Sequence, residues 1–334
     1  MFARLAAPLT IAAIAAPAMA AEVNVYSYRQ PELIAPLTEA FTKETGIAVN
    51  TVFLDKGMVE RLQAEGDLSP ADLILTVDIS RLLEAVDAGV TQAVVTDTLT
   101  ANVPAAFRDA EGQWYGLTTR GRIIYASKER VAEGEVTTYE DLVDPKWKGR
   151  ICTRSGSHPY TLGLLGAVVA KYGEETAETW MQGVKANLAK KPEGNDRGQV
   201  KSIWAGECDI SLGNTYYMVA MLKDDEQKAW AESVRIDFPA FENGGTHMNV
   251  SGVAMTKSAP NRENAIRMMD WLVSDEAQQI YAEIVGEYPV KPGVEPSDVV
   301  KGFGDFTPDE TPLSAIGEAR PAALKIVERI DFDG

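Results

Sequence analysis

Histidine and cysteine are both scarce in this chain, with two of each in 334 residues. Soft and borderline metals are held by thiolate and imidazole, so little is available for a zinc site or a histidine-based catalytic centre. His158 and His247 could act only as isolated acid–base groups. No G-x-S-x-G elbow, H-E-x-x-H helix or Ser-His-Asp set is evident, and no enzyme is expected. The carboxylate runs of a calcium loop are missing too. Basic charge is also short: 32 Lys and Arg face 49 Asp and Glu, a net charge of −17. With no basic stripe to neutralise phosphates, nucleic acid is not an expected partner. Beyond the first twenty residues nothing resembles a membrane-spanning helix.

Those first residues read as a secretory leader. Arg4 opens it, Leu9 to Ala18 is apolar apart from Thr10, and Ala18-Met19-Ala20 is a cleavage site. Residues 1–20 are therefore the expected signal peptide, and Ala21 or Glu22 begins the exported chain. Losing Arg4 takes the charge from −17 to −18. About 314 residues remain, more than a single core usually supports, so two lobes are expected. The cysteines of an exported chain are expected to pair, Cys152 with Cys208.

Periodicity predicts a first strand over 22–27, then a helix from Pro31 that Gly46 stops. Alternation over 47–53 gives a second strand, Met58 to Leu62 a helix ended by Gly66, and 71–77 a buried strand. Ile79, Leu82, Leu83 and Val86 mark the next helix. Strands alternating with helices predict a parallel sheet covered on both faces. Residues 113–127 look extended and are suited to carry the chain between lobes, with a return crossing between Val234 and Met255. Thr138 with Asp141 suggests a helix cap. Further helices are expected near 161–172, 174–190, 198–205, 262–273 and 275–285, with an amphipathic tail helix over 313–330.

The most informative stretch is 208–217, Cys-Asp-Ile-Ser-Leu-Gly-Asn-Thr-Tyr-Tyr. It reads as a strand ended by turn chemistry at Gly213-Asn214, with two tyrosines at the strand edge where α/β proteins place ligands. Cys208 precedes Tyr216 by eight positions, and Cys152 precedes Tyr160 by eight. A disulfide would bring the two segments together, although eight extended residues reach about 26 Å and spacing alone does not force the tyrosines to meet. Such a bridge would brace both loops or simply stabilise the fold. Three phenols at such positions suit a hard cation wanting anionic oxygen, and Fe(III) leads the candidates. Ionising three phenols at pH 7 costs about 12 kcal/mol, which an ordinary organic ligand would hardly offset and a trivalent ion can. A Tyr-Tyr pair after a strand also serves as packing or as a hydrogen-bonding rim.

Several motifs occur together and in order: Val25-Tyr-Ser-Tyr-Arg-Gln30, Gly66-Asp-Leu-Ser-Pro-Ala-Asp72, Thr76-Val-Asp-Ile-Ser-Arg81 and Trp114-Tyr-Gly-Leu-Thr-Thr-Arg120. Asp144-Pro-Lys-Trp-Lys-Gly149, Ser157-His-Pro-Tyr160 and Gly213-Asn-Thr-Tyr-Tyr217 follow. Over nearly all of the exported chain this pattern resembles the periplasmic ferric-ion-binding proteins of bacterial ABC importers. The resemblance implies an α/β, two-lobed type II periplasmic-binding fold, its ligand cleft between lobes joined by hinge strands. The expected lobes are 21–118 plus 241–290 and 119–240 plus 291–334. It implies Tyr160, Tyr216 and Tyr217 as Fe(III) ligands, an inner-membrane ABC permease as partner, a periplasmic location and a monomer.

The chain departs from the pattern in its first loop. Several relatives place a His or Tyr ligand just after the arginine of the opening motif, where this chain has Gln30 and Pro31. That favours an anion, carbonate or bicarbonate, completing the metal's coordination. Arg29 and Arg120 are the expected clamps, since guanidinium matches a planar oxyanion bidentately, with Gln30 beside them. A plain ion pair is the alternative role for each arginine. Tyr28 is an outside candidate for the metal, Tyr26 is expected in the core, His158 shapes the tyrosine loop, and Asp78 and Asn214 are turn or supporting groups. The rival cargo is a small organic or oxyanionic solute such as a polyamine, thiamine or a phosphonate.

Overall fold

A computed structural model describes residues 21–334; the expected leader lies outside the described residues. The first lobe starts as β1 (Glu22–Ser27), α1 (Pro31–Thr45), β2 (Ala48–Phe53), α2 (Met58–Glu65), β3 (Leu73–Thr76), α3 (Ile79–Asp87), β4 (Thr91–Gln92) and α4 (Asp97–Asn102). Pro31 opens α1, where its missing N–H costs nothing. Gly46, at φ 72°, closes α1 in the left-handed region that glycine enters without strain. β1 runs parallel to both β2 and β3, and β3 is buried throughout.

The chain leaves this lobe along β5 (Tyr115–Ser127), every residue of which is buried. The second lobe follows as β6 (Ile151–Cys152), α5 (Pro159–Tyr172), α6 (Glu174–Ala186), α7 (Asp196–Trp204), β7 (Ile210–Asn214), α8 (Tyr216–Leu222), α9 (Lys228–Glu232) and β8 (Val234–Asp237). Then come β9 (Met248–Thr256), α10 (Arg262–Leu272), α11 (Asp275–Ile280), β10 (Tyr288–Pro289), α12 (Asp298–Lys301), α13 (Leu313–Glu318) and α14 (Arg320–Arg329). The first half of β5, to Gly121, pairs with β9. Its second half, from Arg122, pairs with β7 and β8. One strand thus belongs to both lobes, which is the geometry of a hinge.

The parallel pairing expected from the sequence forms among β1, β2 and β3, but the sheet as a whole is mixed. β9 runs antiparallel to both β3 and β5, because a chain that crosses between lobes and returns must reverse. The return is also shorter than 234–255: β8 stays with the second lobe, and the chain crosses at His247, whose carbonyl accepts the Arg122 N–H.

The single tail helix expected over 313–330 is two. Pro321 lacks an N–H and can sit only in a first turn, so α14 restarts beside it. Both tail helices pack on α5, and α13 also touches α3 of the first lobe. The approach is close at Gly317, where a Cβ would lie 2.0 Å from the Leu83 side chain.

Candidate metal centre

The site is assembled by two neighbouring strands. β6 and β7 are parallel, with Cys152 opposite Ser211, and the Cys152–Cys208 disulfide ties them with Cα atoms 5.8 Å apart. Past β6, the His158 imidazole caps α5: its Nδ1 accepts the Tyr160 N–H at 3.1 Å. Pro159 fills the first helical position, so Tyr160 sits in the first turn. Burial and the nearby guanidiniums push His158 down to about 2, so it stays a neutral acceptor. It shapes the loop, as expected.

Past β7 the expected turn is absent. Gly213 and Asn214 are strand residues, and Gly213 is required for a different reason: a Cβ there would lie 2.1 Å from the Tyr125 ring. The Tyr125 hydroxyl donates to the Asn214 carbonyl at 2.6 Å, locking the strand end. Tyr216 and Tyr217 consequently stand in the first turn of α8 and not on the strand edge.

The two segments meet through their side chains. The Tyr160 and Tyr216 hydroxyls are 3.1 Å apart and hydrogen-bonded. The Tyr216 and Tyr217 rings lie 4.2 Å apart, tilted by 37°. All three border one cleft of about 450 Å³, with Tyr28, Arg29 and Glu287 facing them from the first lobe. Burial raises the Tyr216 hydroxyl well above its ordinary pKa, and the neighbouring phenols add to the rise. Tyr217 is raised too, by burial first, with Arg154 pulling the other way. Without a cation these two phenols hold their protons.

Guanidiniums surround the tyrosines. Arg120 and Arg154 lie 5.3 and 5.2 Å from the Tyr160 ring centre. Arg154 binds Asp196 at 3.0 Å, and Arg122 binds the same carboxylate at 2.8 Å. Asn214 supports this group: its side-chain oxygen accepts from Arg122 at 3.2 Å, and its N–H donates to Asp196 at 3.1 Å.

Of the first-lobe candidates, Tyr28, Arg29 and Gln30 line the cleft, and Tyr28, Arg29 and Arg120 are already engaged. The Tyr28 hydroxyl accepts the Met58 N–H at 3.0 Å, and Arg81 stacks on its ring at 3.7 Å. Arg29 is buried, donating to Glu287 at 2.9 Å and to the Ser251 hydroxyl at 2.6 Å. Arg120 donates to the same hydroxyl at 3.0 Å and to the Val77 carbonyl. Gln30 precedes α1, exposed, with no capping bond from its side chain. Asp78 caps α3 and accepts from Asn249 at 2.6 Å, and Tyr26 is buried with its hydroxyl on Glu65. Among the described residues no three His, Cys, Asp or Glu side chains are grouped to hold a metal.

Arg122, Arg154, Asp196 and Glu287 went unnoticed in the sequence. Only Arg122 left a trace there, on the same strand parity as Arg120 beside Ile123 and Ile124. The others come from loops and helix ends far apart in the chain.

Two α/β lobes sharing hinge strands, with an aromatic and cationic cleft between them, form the type II periplasmic-binding fold. The chain belongs to the bacterial extracellular solute-binding proteins, whose family pattern matches residues 69–320. Iron uptake protein A1 of Synechocystis is 44% identical over 310 residues, covering 92% of this chain and 86% of that protein. The apo ferric ion-binding protein A of Pasteurella haemolytica superposes with a TM-score of 0.90 at 50% identity, covering 94% of this chain and 98% of that one. A Trichodesmium protein solved with iron and citrate superposes at 0.88 with 40% identity, over 93% of this chain and 99% of its own.

Proposed function

We propose that this protein captures Fe(III) in the periplasm through the phenolates of Tyr160, Tyr216 and Tyr217 and delivers it to an inner-membrane ABC permease. The names of its relatives support the cargo. The observation that carries the ligand assignment is the meeting of the three phenols on one wall of the cleft, Tyr160 hydrogen-bonded to Tyr216 and the Tyr216 and Tyr217 rings in contact. The ion enters as cargo, each phenol gives up its proton, and three phenolates cancel the charge of a trivalent ion. Binding is therefore coupled to proton release and strengthens as pH rises. Arg120 and Arg154 stand beside the Tyr160 ring, 5.3 and 5.2 Å from its centre. Closure of the lobes excludes water and strengthens the same contacts.

An anion, carbonate or bicarbonate, completes the coordination in this reading, because position 30 offers an amide and position 31 a proline. Reopening at the permease, with protons returning to the phenols or with reduction to Fe(II), frees the ion. Export through a cleaved leader belongs to the same proposal.

The test is a visible absorption titration of the purified exported chain with a weakly chelated ferric salt. A phenolate-to-iron charge-transfer band saturating at one iron per chain is expected. A colourless protein that instead binds an organic solute or an oxyanion tightly by calorimetry would replace the iron reading.

A further inference from the structure

Two buried clusters of like composition flank the tyrosines, one from each lobe. In the first lobe, Glu287 Oε2 accepts from Arg29 at 2.9 Å, from Ser251 at 3.2 Å and from Thr118, while Ser251 also accepts from Arg120 at 3.0 Å. In the second, Asp196 lies between Arg122 at 2.8 Å and Arg154 at 3.0 Å. Each cluster therefore sets two guanidiniums against one carboxylate. Tyr160 stands between them, with Arg120 of one and Arg154 of the other at nearly equal distances from its ring.

The excess charge is buried. Arg29, Arg120, Arg122 and Arg154 are all less than a tenth exposed, and Asp196 and Glu287 almost completely covered. Several guanidinium N–H groups also lack a partner among the described residues: Nε of Arg120 and Arg154, and Nε and Nη2 of Arg122. A buried guanidinium donor without an acceptor is costly. The other two charged residues that line the cleft, Arg197 and Glu32, are of opposite sign. The walls thus carry a surplus of one positive charge per cluster. Three phenolates neutralise Fe(III) and leave that surplus unmatched, so the loaded cleft favours a co-bound anion carrying two negative charges.

We infer that Glu287 and Asp196 set this surplus, and with it the charge class of the anion that enters with the ferric ion. Neither residue is assigned as a ligand; each is a positioning residue acting through the arginines it pairs. The inference rests on the tyrosinate reading above.

The test uses the exported chain and the charge-transfer band, titrated with bicarbonate, phosphate or citrate at a fixed ferric concentration. Glu287→Gln and Asp196→Asn each add one positive charge. Each should move the preference toward the more highly charged anions, about tenfold per added unit of anion charge. Arg154→Gln removes a charge and should move the preference toward bicarbonate. Glu287→Asp keeps the charge and should shift the preference less than Glu287→Gln. Circular dichroism identifies folded variants, and Arg154→Gln reads the same surplus from the opposite side if the carboxylate variants do not fold. Unchanged preferences in the folded charge variants, or an equal shift from Glu287→Asp and Glu287→Gln, would overturn the inference. A parent protein with no band overturns the tyrosinate reading instead, so the two failures are distinct.

Discussion

The two walls of the cleft carry similar residues and use them differently. On the second-lobe wall, Tyr160 and Tyr216 reach each other through their hydroxyls, 3.1 Å apart. On the first-lobe wall, the Tyr28 hydroxyl serves a backbone N–H and its ring lies under Arg81. Arginines are engaged on both walls: Arg29 is bound to Glu287 and Ser251 and Arg154 to Asp196, and among the described residues the Nε–H of both Arg120 and Arg154 lacks a partner. An engaged side chain must break a buried contact before it can take a ligand, at a cost of roughly 1–3 kcal/mol for a hydrogen bond. In the proposed reading, the second lobe grips and the first closes over what is gripped. Two chemically similar walls differ in function because their hydrogen-bond partners differ.

The most severe way to break this comparison is to remove the grip. Tyr216→Phe with Tyr217→Phe should weaken and shift the charge-transfer band and lower ferric affinity by about a hundredfold or more. Retained affinity by competition with a chelator would sink the assignment. Next comes the scaffold of that wall. Replacing Cys152 and Cys208 by serine opens a loop of sequence separation 56, and the chain-entropy cost is about 4 kcal/mol. Denaturant unfolding should show the loss, and the variant should take up iron more weakly because the tyrosine segments are no longer tied.

A smaller effect tests the crossing between the walls. Burial pushes the His247 imidazole down to about 3, against a weaker opposing pull from Asp309. The folded state holds it neutral, while the unfolded chain takes up a proton below about pH 6.5. Stability on this account falls as pH drops from there toward 3, by about 2 kcal/mol at pH 5. The melting temperature should decline over that range, and His247→Gln should flatten the decline. An identical slope in the variant would assign it to other groups. The smallest expected effect sharpens the comparison: Tyr28→Phe should leave the band intact, whereas a lost or shifted band would make Tyr28 a ligand and the walls equivalent.

Much of the fold was legible in the sequence because the signals were local. Pro31 and Gly46 bracket α1, and the alternation of Glu22 to Ser27 marks β1. The tyrosine positions were legible as well, through the paired spacing from each cysteine and the motifs around them. Gly213 was misread because a glycine beside asparagine has the local look of a turn. Its real constraint is the Tyr125 ring, which arrives from a strand almost ninety positions earlier.

The sequence alone thus determined most element types, the paired cysteines and the tyrosines proposed to supply phenol oxygens. These depend on spacing and side-chain chemistry. Only the tertiary structure decided that the phenols meet, that β5 belongs to both lobes, and that Arg29 faces Glu287 while Arg154 faces Asp196. Glu287 lies 258 positions from Arg29, and Asp196 lies 42 from Arg154. No periodicity carries a pairing over such a span. Burial drives these charges together when the sheets close, and that closure decides which of them remain free for a ligand.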